Sequence, residues 1–153
     1  MLTLHQIDEI DGPREQVWDT FAIPENEFQW DPKGPIWMEK LTDGPLAEGT
    51  RYRGKWHMLG KLEWVYGEFE RPRIVVHDGM AAGMRMVHTL TFEDGAHGGT
   101  RFVQRADVTL PSWMKPLTPA LRPVLQRRLR HIGSSLKSYV EGQRAADEGA
   151  VAG

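Results

Sequence analysis

The sequence predicts an α+β chain in which an antiparallel sheet is covered on one face by a single long helix. Three observations carry this expectation. Residues 50–110 hold several segments with apolar side chains at every second position, the period of a half-buried strand. Residues 117–140 hold apolar side chains at every third or fourth position, the period of a helix. Between an initial strand-like segment and the sheet, prolines at 13, 24, 32 and 35 mark off two short helices. An antiparallel sheet with one wet face needs cover on the other, and only the last helix is long enough to supply it. A strongly curved sheet wrapped round one helix encloses a space, which stays open as a pocket where inward side chains do not fill it.

Residues 3–10 (TLHQIDEI) mix polar and apolar residues in short alternation and form the first strand. In DGPREQVWDTFA, Pro13 suits a first helical position, Asp11 or Gly12 can cap it, and Val17, Trp18 and Phe21 share a side. Pro24 stops that helix and opens a second, PENEFQW, which the prolines at 32 and 35 end. In FQWDPKGPIW, Trp30 is expected to anchor the loop to the core, with ligand contact as the alternative. Trp37 begins the next strand, and its facing stays open.

The period then becomes two. In TRYRGKWHM, Tyr52, Trp56 and Met58 face inward against Arg51, Arg53, Lys55 and His57. Gly60 turns the chain, and KLEWVYGEF continues the inner face through Leu62, Trp64 and Tyr66. RIVVHD is a further short strand, and GMRMVHTLTF places Met84, Met86, His88, Leu90 and Phe92 on one face. EDGAHGGT is a hairpin turn, after which TRFVQRADVTL turns Phe102, Gln104, Ala106 and Val108 inward. Beyond Pro111 the apolar stripe runs through Leu117, Leu121, Val124, Leu125, Leu129, Ile132, Leu136 and Val140, and the helix is expected to end at about Gly142. Residues 1–143 form one domain in this reading. Residues 144–153 have too little bulk to pack and are expected to form a disordered tail.

Composition narrows the function classes. A chain of 153 residues can bury a core unaided, and a net charge of −2 does not ask for nucleic acid. The absence of cysteine excludes disulfides, thiolate catalysis and cysteine-based metal sites. The first residues do not read as a secretory signal and no apolar run reaches membrane-spanning length, so a cytoplasmic location without membrane insertion is expected. No two of the six histidines stand at metal-ligand spacing on one element, and neither metal nor cofactor is called for. Ser112, Ser134 and Ser135 lack a nucleophile-elbow context, the glycines of DGAHGG lack a phosphate-loop context, and RRLRH reads as a solvated helix face.

Five segments, VWDTFAIPENEFQWDP, LTDGPLAEGTRYR, EFERPR, GGTRF and LRPVLQRRLRHIGSSLKSYVE, together resemble a known family in order and spacing. The chain is similar over residues 3–142 to the polyketide cyclase/dehydrase-like branch of the SRPBCC (START-related, helix-grip) superfamily. The resemblance implies a helix-grip fold: a curved seven-stranded antiparallel sheet wrapped round a long C-terminal helix, with two short helices after the first strand. It also implies a cavity for an apolar small molecule. Members include aromatase/cyclases, lipid and sterol carriers, coenzyme Q-binding proteins and co-chaperone domains, and no catalytic residue carries over by motif.

The residues most informative about chemistry are polar ones at inward positions. His88 lies between Met86 and Leu90 and reads either as a buried histidine bonded to its surroundings or as a donor or general base in the cavity. Gln104 needs partners for its amide, from the protein or from a ligand oxygen. Arg128 falls within the apolar stripe, so it either reaches a cavity rim, pairs with an acid or meets a ligand. Tyr52 and Tyr66 can offer hydroxyls. With these, Trp56, Met58, Trp64, Met84, Met86 and Phe102 make a ligand-binding set rich in wide, adaptable side chains, although the same residues can simply fill a curved sheet. Binding of an apolar or aromatic small molecule leads. A cyclase or dehydratase using His88 as acid/base is the alternative, and a co-chaperone-like interaction module is the third reading. The expected partner is a small molecule, and the chain is a monomer or homodimer.

Overall fold

The computed structural model describes residues 1–152, and their side chains as far as residue 150. Strand β1 (Leu2–Ile10) buries Leu2, Leu4 and Ile10. Helix α1 (Arg14–Ala22) follows, with Pro13 extended at its N-cap, one position earlier than expected. It buries Val17, Trp18 and Phe21 on the side the spacing predicts. A 3-10 turn at Pro24–Asn26 leads into α2 (Glu27–Trp30), which ends on the buried Trp30 and Asp31.

Six further strands form successive hairpins: β2 (Pro35–Lys40), β3 (Arg51–Trp56), β4 (Gly60–Glu70), β5 (Ile74–Ala81), β6 (Met84–Asp94) and β7 (Thr100–Thr109). The sheet order is β1-β7-β6-β5-β4-β3-β2, antiparallel throughout, with β1 and β2 at the edges. Irregular register at Tyr66/Phe69 and at Pro35/Trp37 bends the sheet. The first of these lets Tyr66 and Phe69 both pack against the core despite their odd spacing. The second leaves Trp37 on the outer face, 41% exposed, with Met38 turned inward.

A 3-10 turn at Ser112–Leu117 delivers the chain to α3 (Thr118–Ala152), which crosses the concave face. The helix comes so close to β1 that a Cβ on Gly133 would stand 1.9 Å from the Asp8 carboxylate. Two apolar clusters result. One joins α1, Trp30, β3 to β7 and the Ile132–Leu136–Val140 stretch of α3. The other joins Leu2, Leu4, Met84, Val108, Met114 and Leu125, among others, at the opposite end.

Four expectations need correction. Strand β3 ends at Trp56, so Met58 sits in the hairpin turn and is 82% exposed. Strand β5 runs to Ala81 rather than Asp78, which continues the inward alternation through His77 and Gly79. Leu117 falls in the 3-10 turn before α3 and Val124 at the edge of the α3 stripe, and each is 46% exposed. Helix α3 continues past Gly142 to Ala152 because nothing there breaks it, and an i,i+4 pair of Arg144 with Glu148 suits a helix. Among the described side chains, Val140 is nevertheless the last of α3 in the core. Gly153, the end of the expected tail, lies outside the described residues.

Candidate functional site

Between the two clusters the sheet and α3 leave a cavity of about 130 Å³. On the same measure one water needs about 10–15 Å³. Its walls come from almost every layer: Phe21 from α1, Trp30 from α2, Trp56 and Trp64 from β3 and β4, Ala106 from β7, and Leu129 and Ile132 from α3.

Two histidines face each other on the sheet side. His77 of β5 and His88 of β6 are cross-strand partners, with ring centroids 6.3 Å apart. The pairing follows from strand register, which puts residues directly opposite on the same face. His88 Nε2 lies 3.1 Å from Gln104 Oε1, while Gln104 Nε2 donates to the Leu129 carbonyl at 2.8 Å. That second bond fixes which end of the amide faces His88, so the His88 ring donates from Nε2 and keeps Nδ1 bare. Burial pushes His88 down to about 4, against the raising effect of the Gln104 bond. It pushes His77 down to about 3, with His88 adding to the effect. Both rings are neutral at pH 7.

Tyr66 donates its hydroxyl to the Ala22 carbonyl at 3.3 Å, and burial raises its pKa, so it remains a phenol. At the α2 side, Trp56 Nε1 donates to the Glu27 carboxylate. Burial lifts Glu27 to about 7; the Trp56 bond, Arg128 and His131 oppose that, and Asp31 adds to it. Asp31, only 2% exposed, accepts from His131 Nε2 at 2.9 Å and stands 3.5 Å from Arg128 Nη1. This cluster ties the loop after α2 to α3 beside the cavity. Among the described residues, four buried polar atoms on cavity-lining residues have no protein partner: Trp30 Nε1, Trp64 Nε1, His77 Nε2 and Arg128 Nε. Buried polar atoms are normally paired, so these are openings for a ligand or water.

Of the residues singled out in the sequence, Trp56, Trp64, Tyr66, Met86, His88 and Arg128 line the cavity. Gln104 stands behind His88 and orients it. Tyr52 stacks on Trp64 at 5.1 Å and donates to Glu25, outside the lining. Phe102 packs against Phe92 and Phe21 in the core. Met84 belongs to the second cluster, and Met58 points to solvent. The sequence reading missed Glu27, His77 and Met38. Parity through RIVVHDGMA would have found His77, whereas a one-turn helix bounded by prolines gave no period by which to place Glu27. Among the described residues no cluster of three or more His, Cys, Asp or Glu side chains is placed to hold a metal. No helix among them is long and apolar enough to cross a membrane.

The sequence profile described as "Polyketide cyclase / dehydrase and lipid transport" matches residues 1–141. No curated protein matches in sequence. Among solved structures, SA2116 from Staphylococcus aureus, a protein of unknown function, is similar with a TM-score of 0.73 at 13% identity, covering 94% of this chain and 96% of that one. Norcoclaurine synthase from Thalictrum flavum, in complex with dopamine and hydroxybenzaldehyde, gives 0.72 at 10% identity over 92% and 87%. Ara h 8.0201 gives 0.72 at 12% identity over 92% and 98%. At such identities the likeness establishes the helix-grip fold.

Proposed function

The chain belongs to the polyketide cyclase / dehydrase and lipid transport family, and on that premise we propose that it binds an apolar or aromatic small molecule between the sheet and α3. The observation that carries this reading is the cavity itself. It is walled by Trp30, Trp56, Trp64 and Met86 and edged by polar atoms that have no partner among the described residues. Flat indoles and a flexible methionine favour a ring-containing ligand, and the unpartnered N–H groups favour one that carries oxygen.

The enzymatic alternative, a cyclase or dehydratase, draws support from the shared fold of norcoclaurine synthase, whose structure holds dopamine and hydroxybenzaldehyde. His88 suits that role poorly. Its Nε2 is committed to Gln104, and a ring pushed down to about 4 is a weak base at neutral pH. His88 fits better as a neutral wall group offering Nδ1 as an acceptor.

Thermal shift and tryptophan quenching with flavonoids, quinones, fatty acids and sterols test the binding reading. A ligand at a hundred times its Kd stabilises the folded chain by about 2.7 kcal/mol. Ala106→Leu, which adds carbon atoms to the cavity wall, should weaken binding of any hit. No saturable response across the panel, or a response untouched by Ala106→Leu, contradicts the proposal.

A further inference from the structure

We propose that Glu27 acts as a general base in this cavity, removing a proton from carbon in a flat, conjugated substrate whose C–H is acidified by a neighbouring carbonyl or C=N group. The proposal rests on the cavity-binding reading above. Among the described residues Glu27 is the one carboxylic acid on the cavity wall. The Trp56 indole N–H holds its carboxylate, and among the described residues no other side chain bonds to it. Trp56 meets Trp64 edge to face at 5.4 Å, which provides an aromatic wall beside the carboxylate for a flat ring to rest on.

A carboxylate removed from water is a stronger base towards carbon than one in solvent, because less hydration must be stripped from it at the transition state. The groups that face it are Trp56 from β3, Tyr66 from β4, Asp31 after α2, and Arg128 and His131 from α3. The lift of its pKa to about 7 leaves it divided between acid and base at neutral pH, where a general base works best. The other half of the reaction needs donors for the oxygen that becomes negative. Arg128 Nε from α3 and Trp64 Nε1 from β4 are buried N–H groups on residues lining the same cavity, without partners among the described residues.

In the step itself a Glu27 oxygen takes the proton. The C–H electron pair becomes the C=C bond of an enolate, and the carbonyl π pair moves onto oxygen. Return of the proton from Glu27 to the same or a conjugated carbon gives exchange or isomerisation, with no oxidant or second reactant consumed.

The full chain can be tested with 5-nitrobenzisoxazole, a flat carbon acid. Its C–H proton passes to the base, the C–H pair forms the nitrile, the N–O bond breaks, and a coloured cyanonitrophenolate leaves. Turnover should be saturable and exceed that of free carboxylate by roughly a hundredfold or more, with kcat/KM rising through a midpoint near pH 7. Glu27→Gln, which can still accept from Trp56, should bring the rate to background while 2-naphthol still quenches tryptophan fluorescence. Trp56→Phe removes a bond that lowers the Glu27 pKa, so it should move the midpoint upward. Saturable binding with turnover that survives Glu27→Gln, or with none in wild type, overturns the role of Glu27 and leaves the binding reading intact. If neither probe binds in the cavity, both fall.

Discussion

Replacing Gln104 with leucine tests how sheet and helix are locked behind the cavity. The amide is fully buried, donates to Leu129 of α3 at 2.8 Å and faces His88 Nε2 at 3.1 Å. Leucine has a similar volume, so the main loss is polar. The bond to Leu129 is worth about 0.5–1.5 kcal/mol net, and the stranded His88 N–H costs a further 1–3 kcal/mol or so. The expected total is about 2–4 kcal/mol, or roughly 5–15 °C in Tm for a chain of this size. Urea melts of wild type, Gln104→Leu, His88→Leu and the double variant close a cycle. The double variant removes both polar groups, so it should cost less than the two single changes summed, by about 1 kcal/mol or more. A Gln104→Leu loss below about 0.5 kcal/mol, or strict additivity, would refute the proposed lock.

Arg128→Met should cost about 3 kcal/mol in urea melts, because it leaves the buried Asp31 with His131 alone; adding Asp31→Asn should recover part, and no recovery would contradict the pairing. His77 and His88 stay neutral in the fold down to about 3 and about 4, while the unfolded rings take protons from about 6.5, so their stabilisation is lost as pH falls through that window. Glu27 acts in the opposite sense: the fold holds its proton up to about 7 and the unfolded chain releases it near 4.5, so its contribution is lost as pH rises. Glu27→Gln should therefore gain on wild type by about 2–3 kcal/mol between those limits, and a pH-independent difference would contradict the buried-carboxyl account. A chain ending after Gln143 should melt within about 2 °C of the full chain, since the ion pairs of Arg144 with Asp11 and Glu148 are long and exposed.

The fold was legible because its two periods are long and separate. Tyr52, Trp64, Leu90 and Phe102 alternate cleanly into the core, and the α3 stripe from Leu125 to Val140 packs as its spacing requires. The cavity was legible only in part. Inward parity says which side of a strand a residue takes, but not whether it meets space or another side chain. Tyr52, Phe102 and Gln104 all point inward and are all covered by neighbours. Met58 failed because TRYRGKWHM keeps alternating into a turn, where the period has no structural meaning. Glu27 and Asp31 were hidden for another reason. They reach the site through α2 and its following loop, whose placement depends on contacts with Trp56, Arg128 and His131, distant in sequence.

The six tryptophans allow a direct test of where a ligand sits. Trp30, Trp56 and Trp64 line the cavity. Trp18 is buried with its indole directed to the Ile74 carbonyl, and Trp37 and Trp113 are exposed. In a titration with 2-naphthol followed by ¹⁵N–¹H spectra of the indole groups, the signals of Trp30, Trp56 and Trp64 should move together with one Kd, while those of Trp18, Trp37 and Trp113 stay in place. Movement confined to Trp37 or Trp113, with the three cavity signals unchanged, would contradict a binding site between the sheet and the helix.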